Sequence, residues 1–575
     1  MYGWGENAHQ TLKHDFSKYR TWGMFARDEP PDLSKLSTKN LYGVHPFYMV
    51  IEPDGKAHGV FILNSNAQEV ITAPGPAIIY RTIGGNLDLY FFPGPTPEEV
   101  TQQYLALIGT PVLPAYWALG FQLSRYGYKD LDDLKGIIKR NRDAGVPLET
   151  VVVDIDYMDR YKDFTVGEIP KKFTNASLPL PVNTTFPNFS TTEQSKQSDR
   201  SDSAVLVHQI SLKTEKWYSI SRSTFPSAGR YAGHWLGDNT ATWEDLRSSI
   251  IGALEFNMFG IPYIGADICG FHGKPSEELC LRWQQLGAFH PFMRNHNVKL
   301  AEPQDPAQWP QVVEATKKAT SFRYKYLPYL YSLHFIASIK GGTVIRPMFY
   351  EYPNDKSTHD LSYQFLLGPS MLIAPVVYEK ATSVKVYIPK DDWFSVSGDH
   401  YYGRAFNSGF QEFHAPTTSL IPIFVRRAEG VLYWDDGESV IESFATHNYY
   451  QWSFKYQKTN KGGRLMIKTE RKAKSLAIPT LDTIEIFDYE DATEPKKFEL
   501  NGRQIDASTY FDRGEKILHV SGEKLIDMST GGTVKLSWSH SLEESVKLGY
   551  DDETTTTSSG PQVNVVPGLN RLVVW

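Results

Sequence analysis

Residues 151–158 read VVVDIDYM, three valines followed by alternating acids, and this stretch decides how the rest of the chain is read. A β-branched run this short is a strand buried on both faces, as strands are in a parallel sheet. Side chains alternate along a strand, so Asp154 and Asp156 are expected on one side of its C-terminal end. Neighbouring segments repeat the arrangement. LGFQLSRYG (119–127), WYSISRS (217–223), IPYIGADICG (261–270) and AFHPFMRNHN (288–297) are strand-like and end in polar residues, and TVIRPMFY (343–350) closes the region. Between them lie helical spacings. Leu131, Leu134, Ile137 and Ile138 make one face, Trp243, Leu246, Ile250, Ile251 and Leu254 another. A third helix surrounds Leu279 to Leu286, and one long helix is predicted over about 310–339. Alternating strands and helices with polar strand ends predict an α/β fold, a (β/α)8 barrel with its site at the C-terminal mouth.

Six barrel strands are legible rather than eight. The shortfall falls in 166–215, where NASLPLPVNTTFPNFSTTEQSKQSDRSDS (175–203) has the composition of a linker and no helical period. Only AVLVHQISL (204–212) reads as a strand there. The barrel region is placed at 97–348, beginning with a helix from Pro97 to about Leu107. Residues 1–96 are β-rich, with a hairpin predicted where two apolar runs meet across Pro53-Asp54-Gly55. Two further β units are placed at 349–428 and 429–575.

Composition narrows the function. The 575 residues are 41% hydrophobic and 22% charged, with a net charge of -7 and no basic cluster, which argues against a nucleic-acid partner. No uncharged apolar run is long enough to span a membrane, and the first residues lack a secretory apolar core. Cys269 and Cys280 fit neither a CxxC motif nor a zinc site. Either a disulfide or two buried thiols suits them. Nothing suggests a metal or cofactor.

The candidate chemistry centres on SRSTFPSAGRYAGHWLGDNTA (221–241). An arginine on a short strand, then a Pro/Gly-rich loop, then Trp235 and Asp238 resemble a sugar subsite with a proton donor. Asp238 is placed in a shielded loop, a setting that raises a carboxyl's pKa as a general acid requires. Glycoside hydrolysis also needs a second carboxylate. Asp154, or Asp156, is positioned to bind sugar hydroxyls, as is His296 beside Arg294. Asp267 is expected to be structural, paired with Arg222 or Arg294.

Together, YGVHPFYMVIEPDGKAHGVFILNSNA (42–67), DIDYMDRYKDFT (154–165), RSTFPSAGRYAGHWLGDNTATW (222–243), GADICGF (265–271) and GAFHPFMRNHN (287–297) resemble glycoside hydrolase family 31. The likeness is to its maltase-glucoamylase and sucrase-isomaltase type of α-glucosidase, and it covers roughly 1–165 and 216–425. It implies an exo-acting, retaining enzyme of maltose-like α-glucosides that uses no cofactor. By position it implies Asp238 as acid/base, and Asp28, Asp154, Arg222 and His296 as the grip on the non-reducing glucose. Tyr126, Trp235 and Phe271 would be its aromatic walls, and Cys269–Cys280 a disulfide. It further implies an N-terminal β-sandwich, entered here after its start, and a secretory or membrane-associated location, with sequons at Asn175, Asn183 and Asn188.

The family's nucleophile belongs on the fourth barrel strand, in a motif like Trp-Ile-Asp-Met-Asn-Glu. No such motif occurs in this sequence. Between Thr165 and Trp217 the acids are Glu168, Glu193, Asp199, Asp202 and Glu215, and none ends an apolar strand. The third and fourth strands are therefore read as absent. A second gap is read at FVRRAEGVLYWDDG (424–437). Family identity is expected without normal turnover; the alternatives are a carbohydrate-binding pseudoenzyme or a splice or gene-model variant.

Overall fold

The computed structural model describes residues 1–31, 40–157, 159–162, 219–397, 401–426, most of 430–540, and the strands Val565–Gly568 and Arg571–Val574. The expected nucleophile segment, the three sequons and residues 427–429 of the second gap lie outside the described residues.

Among the described residues, seven short parallel strands build the barrel region: β1 (Gln122–Ser124), β2 (Thr150–Val152), β3 (Ser219–Ser221), β4 (Ala232–Trp235), β5 (Ile264–Gly265), β6 (Asp267–Ile268) and β7 (Arg294–Asn295). They pair in two runs, β3-β4-β5 and β6-β7-β1-β2. Only Ala266 separates β5 from β6, so the runs are six staves, one of them interrupted. Among the described residues the arc is open, with β2 and β3 at its ends.

The segment 166–215, where the sequence reading places the shortfall, lies outside the described residues, and among the described staves two identities differ from that reading. Ala232–Trp235, read as part of a loop, is a stave between β3 and β5. It is four residues long, contains Gly233 and lacks a β-branched residue, so it carries no strand signal of its own. Conversely, Ile345–Pro347 within TVIRPMFY pairs antiparallel with Phe365–Leu367, in the sheet of the following β unit. The acids of VVVDIDYM also depart from the strand. β2 ends at Val152, and Asp154–Tyr157 is a single 3-10 turn that Asp154 enters in the left-handed region, at φ 63°.

The helices follow their sequence signals. Pro97–Ile108 starts from a capping box, in which Thr96 and Glu99 satisfy each other's backbone N–H, with Pro97 in the first turn. Leu131–Asp143, Trp243–Met258 and Glu277–Gly287 start from side-chain caps at Asp130, Thr242 and Ser276. The single helix predicted over about 310–339 is two, Pro310–Lys325 and Leu327–Lys340. The break falls at Tyr326 because Pro328 has no N–H, and its ring would clash with the carbonyl four residues earlier.

The N-terminal unit is a sandwich of two antiparallel sheets. The hairpin Phe47–Ile51 and Ala57–Ile62 lies in one, joined across the predicted Pro-Asp-Gly turn. Its apolar face packs on Pro97–Ile108, where the fully buried Tyr104 stacks on Phe47 with ring centres 4.3 Å apart. Truncating a buried ring of this kind to alanine costs about 3–5 kcal/mol. One hydrophobic core runs continuously from this sandwich through the barrel into the first C-terminal unit, while a second fills the distal β unit. Among the described residues no helix is long and apolar enough to cross a membrane.

Candidate active site

Seven of the barrel residues singled out from the sequence lie at the C-terminal end of a stave or within three residues past it. Tyr126 follows β1, Asp154 follows β2, Arg222 follows β3, Trp235 ends β4 with Asp238 beyond it, Phe271 follows β6 and His296 follows β7. Parallel pairing puts all these ends on one rim.

Arg222 organises one side of the rim. Its Nη1 is 3.2 Å from Asp238 Oδ1 and its Nη2 is 3.5 Å from Asp28 Oδ1. Asp28 thus reaches the barrel from the N-terminal unit. Burial pushes the Asp238 carboxyl above the ordinary range. The Arg222 charge pulls the other way, Asp267 pushes further up, and His272 and His296 pull down. Burial prevails, so Asp238 holds a proton to higher pH than a free aspartate, which suits proton donation.

A second contact group lies across the rim. His296 Nε2 is 3.1 Å from Asp154 Oδ2, and Phe271 stacks on the His296 ring at 5.1 Å. Asp156 does not share this position, in contrast to the sequence expectation. It accepts a hydrogen bond from the Gly127 N–H at 2.5 Å and so braces the loop after β1, because the turn at Asp154 has rotated it away. Tyr126 donates its backbone N–H to the Asn297 carbonyl at 3.0 Å, and Lys299 Nζ sits 5.2 Å from its ring centre.

Below the rim, Asp267 pairs with Arg294, with side chains 0% and 7% exposed. This settles the Asp267 partner as Arg294 rather than Arg222. The Arg294 guanidinium in turn lies 5.6 Å from the Trp235 ring centre, which ties that wall to the buried pair. Cys269 and Cys280 form a disulfide that holds the loop leading to Phe271.

Three contributors were not singled out from the sequence. Asn239, next to Asp238, accepts from the Phe271 N–H at 3.0 Å and donates to the Asp267 carbonyl at 3.1 Å, clamping two rim loops together. Tyr42 and Glu6 come from the N-terminal unit and meet the rim beneath Asp238. Asn239 had a local clue in its adjacency to Asp238. Tyr42 and Glu6 had none, because only tertiary contact joins them to the barrel.

The comparisons agree with this architecture. Residues 111–179 and 185–333 match the glycosyl hydrolases family 31 TIM-barrel domain, and 341–429 match the family 31 C-terminal domain. Intestinal sucrase-isomaltase of Homo sapiens is 32% identical over 76% of this chain and 34% of its own length. Lysosomal alpha-glucosidase of Mus musculus is 34% identical over 67% of this chain and 53% of its own. The chain therefore spans about a third of the one relative and about half of the other. A GH31 dextranase of Flavobacterium johnsoniae complexed with glucose superimposes with a TM-score of 0.75 at 18% identity, over 94% of this chain and 84% of that one. A DNJ-bound glucosidase II alpha subunit gives 0.74 at 20% identity, over 93% and 76%. At these identities the superpositions speak for the fold alone. Sequence matches across both barrel and C-terminal units, on a rim of this composition, lead to one conclusion: the chain belongs to glycoside hydrolase family 31.

Proposed function

We propose that the rim binds the non-reducing glucose of maltose-like α-glucosides, and that Asp238 is its acid/base. The observation that carries this reading is the Asp28–Arg222–Asp238 cluster, a burial-raised carboxyl 3.2 Å from a guanidinium at a barrel mouth. Asp238 protonates the departing glycosidic oxygen and afterwards takes a proton from water. Asp28, Arg222, Asp154 and His296 hold the sugar's hydroxyls, and Tyr126, Trp235 and Phe271 flank the ring. Retention further requires a carboxylate about 5–5.5 Å from the acid, attacking C1. Among the described residues Asp267 is committed to Arg294 and Asp154 contacts His296.

The fourth-strand motif expected to supply that carboxylate is absent from the sequence. A further observation bears on this: the match to Rattus norvegicus sucrase-isomaltase runs over 746 aligned positions although the whole chain has 575 residues. That relative carries internal stretches with no counterpart here. The proposed outcome is a glucose-binding site with strongly reduced turnover, a carbohydrate-binding pseudoenzyme in practice. The location proposed is the secretory pathway, which the intestinal and lysosomal relatives support. Domain limits are proposed at 1–96, 97–348, 349–428 and 429–575.

The test is hydrolysis of p-nitrophenyl α-glucoside beside calorimetry with maltose. Binding with hydrolysis several orders of magnitude below that of full-length relatives is expected, since an essential catalytic group is worth that much. Relative-like turnover that Asp238→Asn abolishes would refute the reduced-turnover reading, and no binding of maltose would refute the glucose site.

A further inference from the structure

We infer that Tyr42 is a positioning residue of this site: its hydroxyl holds the backbone of Asp238 and its ring seats the guanidinium of Arg222. The inference rests on the reading of Asp238 and Arg222 given above, and adds to it the element that fixes their mutual geometry.

Tyr42 comes from the N-terminal unit and is 3% exposed. The Asp238 N–H donates to Tyr42 Oη at 3.3 Å. The Arg222 guanidinium carbon lies 4.8 Å from the Tyr42 ring centre, within cation–π range. One side chain therefore touches both members of the Arg222–Asp238 pair. Gly237 makes the approach possible. Its φ is 74°, and a Cβ there would come within 1.9 Å of Tyr42 Cε2. A glycine is needed both for the left-handed backbone and for the space the ring occupies.

The tyrosine is itself held from below. Glu6 Oε2 accepts from the backbone N–H of Tyr42 at 3.1 Å and of Gly43 at 2.5 Å. Glu6 is 3% exposed and lies 3.4 Å from His234 Nε2 on β4. The neighbouring Val44 N–H donates to the Thr224 carbonyl at 2.8 Å, just past β3. Thr224 Oγ1 bridges His45 Nε2 at 2.9 Å and His234 Nδ1 at 3.0 Å. Segment 40–45 is thus laced to the two staves whose ends carry Arg222 and Asp238. This is more fixation than a covering loop needs, and it ends on the acid.

The test uses the full chain with Tyr42→Phe, which keeps the ring and removes the hydroxyl, and Tyr42→Leu, which removes both. Hydrogen exchange followed by mass spectrometry reads the Asp238 amide directly, without sugar. Tyr42→Phe is expected to speed exchange in peptides covering 236–240 about 5-fold, the equivalent of one lost hydrogen bond, while peptides from the helix 243–258 stay unchanged. Deoxynojirimycin, a glucose-shaped imino sugar, reads the consequence by calorimetry. Tyr42→Phe should weaken it by about 2- to 10-fold, and Tyr42→Leu more, because Arg222 also loses its seat. Unchanged exchange over 236–240 in a natively melting Tyr42→Phe variant overturns the inference. Should Tyr42→Leu fail to fold, Tyr42→Phe decides alone. Should the unaltered chain not bind deoxynojirimycin, the glucose-site reading falls, while the exchange experiment still decides the role of Tyr42.

Discussion

On the side of the mouth built by β6 and β7, Asp267 and Arg294 form an ion pair whose side chains are 0% and 7% exposed. On the side built by β3, β4 and the N-terminal unit, Arg222 is 33% exposed and divides its charge between Asp238 and Asp28, at 29% and 82%. The residue types are the same, and solvent makes the difference. In the first pair each charge has exchanged its hydration for the other, so neither can be spared. In the second, water screens the attraction, the contacts are 3.2 and 3.5 Å, and a ligand's hydroxyls can replace them at small cost. The buried pair behaves as scaffold, and the half-open cluster as a surface available for binding.

The comparison breaks most visibly if the buried side is cut. Asp267→Asn leaves the Arg294 charge buried without its partner and should cost about 3–5 kcal/mol, read as a lower urea midpoint of the barrel transition. A loss near zero would place Asp267 among the adaptable groups. On the open side, Arg222→Met should lower affinity for deoxynojirimycin by about 10- to 100-fold, the worth of a charged hydrogen bond. Its effect on stability should stay below about 1 kcal/mol, so calorimetry and unfolding must disagree about this residue's importance.

A smaller effect separates the two sides by pH. Burial raises the Asp238 pKa in the folded chain. Stability from its protonated form is therefore fully present below the unfolded carboxyl pKa and is lost as pH rises through the raised folded value. Asp238→Asn has no such loss, so its melting temperature should gain on the unaltered protein as pH rises from about 4 to 7. A difference that is flat across this range would show that Arg222 cancels the burial. The smallest change is expected for Asp28→Asn, within about 0.5 kcal/mol in stability, with a drop in sugar affinity smaller than that of Arg222→Met.

How much of this was legible depended on the range of the interactions. Helix starts at Thr96, Asp130, Thr242 and Ser276 were readable because a cap and its helix are adjacent in sequence. The rim positions of Arg222 and His296 were readable because a parallel strand delivers whatever follows it to one end, whereas Trp235 and Phe271 were placed by the family resemblance. Ala232–Trp235 was not readable, since four residues with a glycine carry too little periodicity and its place comes from pairing with β3 and β5. The turn after Val153 was missed for a related reason: the alternation of neighbouring residues carries no sign of the left-handed backbone that Asp154 adopts.

The sequence by itself carried the kind of molecule, a barrel region between β units of glycoside hydrolase family 31, and it placed Asp238 in the loop on which the proposal rests. These rest on local spacing and on motifs, which a linear text carries. Tertiary structure alone decided which charges meet. Residues 28, 42, 222 and 238 converge because the N-terminal sandwich docks on the strand ends. Asp267 takes Arg294 because neighbouring staves place them side by side. Burial, which raises the Asp238 pKa and locks Asp267, is a property of the packed whole and is written in no single segment.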